Sequence, residues 1–77
     1  MELAGENLRD FCHSTKEYFK RREGNYYEIV YERGKKRIRV RGMILEAREV
    51  GLGLKLENME IFIPYVTMLR SRDLRKT

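Results

Sequence analysis

The run Arg37-Ile38-Arg39-Val40-Arg41-Gly42-Met43-Ile44-Leu45 decides the fold. Ile38 and Val40 alternate with Arg37, Arg39 and Arg41, the period of two expected of a strand with one face in a core and the other in water. After Gly42 the chain continues apolar. A glycine inside so long a strand marks a bend or a bulge, because it has no side chain to pack and tolerates close backbone approach. One long strand bent at Gly42 is therefore expected.

Working outward, Arg33-Gly34-Lys35-Lys36 reads as a tight turn, preceded by a strand from Tyr26 to Glu32 rich in β-branched and aromatic residues. On the other side, a charged stretch ending in Gly51 and Gly53 leads into Leu52, Leu54 and Leu56, whose alternation predicts a half-buried third strand. Glu60 to Ile63 reads as the fourth strand. Pro64 has no donor for a ladder and breaks it, and Val66 to Arg70 reads as a short fifth strand. Five strands in about 45 residues predict a small, strongly bent barrel over about residues 25–70. The last residues, 73–77, are charged and expected to fray.

Before the strands the period is 3.6. Leu8, Phe11, Cys12, Thr15, Tyr18 and Phe19 fall on one face of an amphipathic helix placed at about residues 6–22. Asn7 is the expected N-cap, and Gly24 can take the left-handed conformation that ends a helix. The fold class is mainly β with an N-terminal α-helix, in a single domain of 77 residues. At this length one core supplies only about 3–5 kcal/mol. One cysteine gives no internal disulfide and no Cys/His cluster offers a structural metal, so self-association is the expected source of added stability.

Seventeen Lys and Arg against twelve Asp and Glu give a net charge of +5, which matters only where it is concentrated. It is concentrated at Lys35, Lys36, Arg37, Arg39 and Arg41, where three guanidinium groups project from one strand face at intervals of about 7 Å. Such density suits phosphates or an acidic protein surface; the alternative is a solvated face cross-paired with Glu28 or Glu32. Tyr26, Tyr27, Tyr31, Phe62 and Tyr65 are candidate stacking surfaces, most of them expected in the core, with Tyr65 beside Pro64 the best exposed.

Cys12 and His13 are neighbours on a helix, pointing about 100° apart, which does not suit a nucleophile and its base. Gly51 and Gly53 are followed by neither the lysine nor the helix of a phosphate loop. The residues therefore predict no enzyme, no cofactor and no catalytic or metal site. With no apolar run of about 20 residues and no apolar signal core, a cytoplasmic protein without a membrane partner is expected.

The helix, the glycine-bent second strand, and the break before the fifth strand together resemble the Sm-like family, which includes LSm proteins and bacterial Hfq. The resemblance is carried by Gly42-Met43-Ile44-Leu45 with the returning Leu54-Lys55-Leu56-Glu57-Asn58, and by Val66-Thr67-Met68-Leu69-Arg70-Ser71-Arg72 as a closing strand with a basic end. It implies single-stranded RNA as ligand and a homo-oligomeric ring in which the fourth strand of one copy pairs with the fifth of the next. Tyr65 would then lie near the pore, with Arg70 and Arg72 at the basic end. The chain departs from the family where Arg48, Glu49, Val50 and Gly51 replace the acidic residue and asparagine of the loop, and where Ile63-Pro64 replaces the Arg-Gly pair. An SH3-like adaptor that contacts protein is the alternative reading. A remoter one is resemblance to PilZ cyclic-dinucleotide binders, from the spacing of Arg33 and Arg37 with Glu46, Arg48 and Gly51 further on.

Overall fold

The computed structural model describes residues 3–76, with side chains from 7 to 75. Helix α1 (Leu3–Lys20) precedes strands β1 (Tyr26–Arg33), β2 (Lys36–Ala47), β3 (Gly51–Lys55), β4 (Glu60–Pro64) and β5 (Met68–Asp73). All strand pairings are antiparallel, in one five-stranded sheet of order β4-β3-β2-β1-β5. An N-terminal helix followed by this order is consistent with Sm-like topology. β4 and β5 are the two edges, and among the described residues no pairing between them closes the bent sheet into a barrel.

The hairpin between β1 and β2 has two loop residues, Gly34 and Lys35, with Arg33 opposite Lys36. Gly34 has φ of 66° and Lys35 has no positive φ, the pattern of a type II′ turn, whose first position calls for glycine. β2 is shared between neighbours: residues 36–43 pair with β1 and 43–47 with β3, with a register shift between Ile44 and Glu46. Gly42 sits where this change of partner brings backbones together. A Cβ there would press into the Lys55 carbonyl oxygen and stand 2.9 Å from Leu56 Cδ2, so only glycine lets β2 bend at this point.

The bend lets the sheet bury its own apolar face. Tyr27, Ile29, Ile44, Leu52, Leu54, Ile63 and Tyr65 are almost inaccessible, and α1 adds Phe19. The Phe19 ring meets Tyr27 edge-on, with centroids 5.7 Å apart, and the Tyr18 and Tyr27 hydroxyls share a hydrogen bond of 3.1 Å. Lys16 Nζ reaches Glu49 at 2.8 Å, tying the helix to the β2–β3 loop. The Arg22 guanidinium lies 3.7 Å from the Tyr18 ring centroid and donates to the Tyr18 carbonyl. Gly24, with φ of 94°, turns the chain into β1 and donates to the Ile44 carbonyl.

The boundaries that differ most from expectation lie at the two ends of the chain. The helix starts at Leu3, which places Asn7 inside it rather than at its cap. The fifth strand begins at Met68, because Tyr65–Thr67 forms a 3-10 turn first, and it extends to Asp73. Residues expected to fray are thus partly ordered: Asp73 pairs opposite Tyr27, and Leu74–Lys76 forms another 3-10 turn, while Thr77 lies outside the described residues.

Candidate nucleic-acid interface

Antiparallel partners share a face, so the register fixes which side chains meet on the outer surface of β2, β1 and β5. Arg41 and Arg72 flank Glu28 from opposite sides, Arg39 and Arg70 flank Val30, and Arg37 stands opposite Glu32. Rows are about 7 Å apart and strands about 4.8 Å apart, which sets five arginines against two glutamates on one face. The expected stripe is a two-sided field, because the β5 register adds Arg70 and Arg72 to Arg37, Arg39 and Arg41.

Glu28 is the hub of this field. Arg41 Nε donates to its Oε2 at 3.0 Å and Arg72 Nη2 to its Oε1 at 2.9 Å, while Arg39 Nε stands 3.8 Å from Oε2. The Glu28 side chain is only 11% exposed beneath the guanidinium groups. The hydrogen bond from Arg41, reinforced by Arg72, holds its carboxyl below the ordinary carboxylate value against the opposing effect of desolvation. Arg41 and Arg72 are therefore committed to a carboxylate, whereas Arg37 and Arg70 have no acidic partner among the described residues. Between the rows runs a groove of about 400 Å³ lined by Glu28, Val30, Arg39, Arg41, Arg70 and Arg72. A multivalent anion suits it best. Each phosphate could exchange counter-ions for a guanidinium that folding has left uncompensated.

Other expected residues lie elsewhere. Lys35 is exposed at the hairpin tip, and Lys36 opens β2 opposite Arg33, next to the arginine field but on the other parity. Tyr65 is not exposed at all: its accessibility is 0%. The 3-10 turn after Pro64 points the ring inward, where its hydroxyl donates to the Arg48 carbonyl at 2.6 Å and its N–H donates to the Val50 carbonyl at 3.0 Å. Burial pushes the phenol up to about 12. Tyr65 braces the β2–β3 loop and cannot stack on a base.

The exposed strand aromatics are Tyr26, at 57%, and Phe62, at 46%. Phe62 lies over Gly51, where a Cβ would stand 2.7 Å from both Cε1 and Cε2 of the ring. In a Tyr-Tyr pair one faces in and one out: Tyr26 shares the parity of Glu28 and Glu32, Tyr27 that of Ile29, and the register with β2 agrees.

The Arg33 and Arg37 pair is not gathered with Glu46 and Arg48, which lie at the far end of β2 and pair with each other. Cys12 packs half-buried against the core and His13 is exposed. A groove of about 590 Å³ lies between α1 and the β2–β3 loop, where Arg9 sits beside Asp10, and Lys16 already engages Glu49; its charges do not favour an anion. Among the described residues no helix is long and apolar enough to cross a membrane.

Fold and site together define a small antiparallel β-sheet protein with an N-terminal helix and an arginine-rich outer face. Comparison with family models, curated proteins and solved structures finds no match to this chain.

Proposed function

We propose that this chain is a nucleic-acid-binding module that holds RNA by its phosphates on the outer face of β2, β1 and β5, without catalysing a reaction. The observation that carries this reading is the register that sets Arg37, Arg39, Arg41, Arg70 and Arg72 on one face against only two glutamates, Glu28 and Glu32. Lys35 extends the positive surface at the exposed hairpin tip, and Lys36 adds charge beside it from the other parity of β2. Acidic protein would also be attracted by charge, but a regular two-dimensional array of guanidinium groups matches the evenly repeated phosphates of a polynucleotide better than scattered carboxylates.

The Sm-like reading adds a cytoplasmic homo-oligomeric ring, in which the bent sheet acts as a small barrel completed by a neighbour. It is supported by the two free edges, β4 and β5, and by exposed apolar residues beside them, Phe62 on one and Leu69 on the other. Pairing β4 of one copy with β5 of the next would remove both edges and cover those side chains.

The test is fluorescence anisotropy with a labelled single-stranded RNA across a salt series. Binding that weakens steeply with salt, and weakens further in Arg39→Glu, is expected. Salt-independent binding, or none, would overturn the proposal.

A protein-contact module is the second reading, favoured by the groove of about 420 Å³ between α1 and β5, where Phe11, Tyr18 and Leu69 are exposed. It predicts that the purified protein carries no nucleic acid and that nuclease leaves its ultraviolet absorbance ratio unchanged.

A further inference from the structure

Tyr26 opens β1 and pairs with Met43, which in turn pairs with Lys55 on β3. This row lies on the outer face, next along from the row of Arg41 and Glu28. Between Tyr26 and the end of β3 is a slot of about 470 Å³ lined by Tyr26, Arg41, Met43, Lys55, Leu56 and Glu57. It combines an exposed aromatic ring and apolar side chains with the cation of Lys55.

A planar heteroaromatic ring linked to an anion has the chemistry for this site. The ring can lie against the Tyr26 phenol and the Met43 side chain, its phosphate can face Lys55, and Glu57 can accept a hydrogen bond from an exocyclic amine. A paired base inside a duplex offers no free face to Tyr26, whereas an unpaired base does.

We infer that the Tyr26 slot takes one unpaired nucleobase, which makes this surface selective for single-stranded over double-stranded nucleic acid. The inference rests on the proposed phosphate-binding role of the arginine field, and names which form of the polymer that field serves.

Tyr26 is more than half exposed and makes no part of the buried core, so its replacement tests binding rather than folding. The full chain is titrated by anisotropy against a fluorescein-labelled oligoadenylate RNA and against an RNA duplex of the same length, at one fixed salt concentration. Tyr26→Ala and Tyr26→Ile, the latter keeping strand propensity but no π face, are expected to lose between about five-fold and about a hundred-fold on the single strand. Neither should lose affinity for the duplex, and Tyr26→Phe should retain single-strand affinity.

If Arg39→Glu weakens binding while Tyr26→Ala and Tyr26→Ile bind the single strand like the parent, the slot inference falls and the phosphate-binding reading stands. Equal losses on single strand and duplex would also overturn it. Absence of binding to both probes would remove both proposals.

Discussion

Glu28 makes an unusual prediction: removing an ion-pairing residue should strengthen binding. Its two oxygens accept from Arg41 at 3.0 Å and Arg72 at 2.9 Å, so two guanidinium groups of the field are compensated in the free protein. Glu28→Gln keeps the shape of the side chain and releases both. Each further phosphate neutralised on a single strand steepens the dependence of log K on log salt by about 0.7, so two freed arginines should steepen it by about 1.4. Between 50 and 200 mM salt that difference alone multiplies the loss of affinity by about seven. If parent and variant converge near 1 M salt, the variant should bind up to about 70-fold tighter at 50 mM. The assay is anisotropy with a labelled single-stranded RNA over a salt series, run side by side on the two proteins. A slope unchanged or shallower in Glu28→Gln, or weaker binding at every salt concentration, would refute the reasoning. It would mean that the carboxylate organises the arginines for the ligand instead of competing with it.

Gly42→Ala should cost about 3 kcal/mol in urea unfolding, because the added methyl meets the Lys55 backbone carbonyl, which cannot swing aside. Gly53→Ala, where the nearest atom is 3.6 Å away, should change stability by less than about 1 kcal/mol; equal costs would contradict the account of the bend. Tyr27 and Tyr65 are both pushed up to about 12, chiefly by burial, so the fold favours their neutral forms. Their contribution to stability is full below 10, the ordinary phenol value, and is lost as pH rises toward about 12. Ultraviolet titration should show a tyrosinate component forming only near pH 12, reduced in Tyr65→Phe; completion of the whole transition near pH 10 in folded protein would contradict this. At the acid end, Glu28 and Glu49 are held below the ordinary 4.5 by hydrogen bonds from Arg41 and Lys16 respectively. The stability they lend is present above that value and lost as pH falls through their lowered values, so urea midpoints should drop below pH 4.5 and drop less in a Glu28→Gln, Glu49→Gln double variant.

The periodicities that define the helix and four of the strands are local, and local signals were legible: the alternation through Arg37 to Arg41 and the glycine at 42 placed the bent strand and its exposed face. What depended on pairing was not. The 3-10 turn at Tyr65–Thr67 moved β5 two residues along and turned Tyr65 inward, because its hydroxyl satisfies a loop carbonyl seventeen residues earlier. Arg72 reads as tail until the β5 register sets it beside Glu28. Cross-pairing of the arginines with Glu28 was foreseeable as an alternative to ligand binding; the structure contains that pairing and still leaves Arg37 and Arg70 without a carboxylate among the described residues. The helix start escaped because Asn7 resembles a cap, yet the pattern continues upstream of it. Tyr26 was a candidate stacking residue, but its exposure was passed over in favour of Tyr65, although it shares the parity of Glu28 and Glu32 along β1.

The most direct measurement of where this protein meets its ligand is a nuclear magnetic resonance titration of the isotope-labelled chain with a short single-stranded RNA. Backbone and arginine side-chain signals should shift along the outer face, at Tyr26, Glu28 and Val30 of β1, Arg37, Arg39 and Arg41 of β2, and Arg70 and Arg72 of β5, while Phe11, Thr15 and Tyr18 of α1 stay still. Shifts confined to α1 and its groove with β5, or no shifts at all, would contradict the assignment of the arginine face as a nucleic-acid interface.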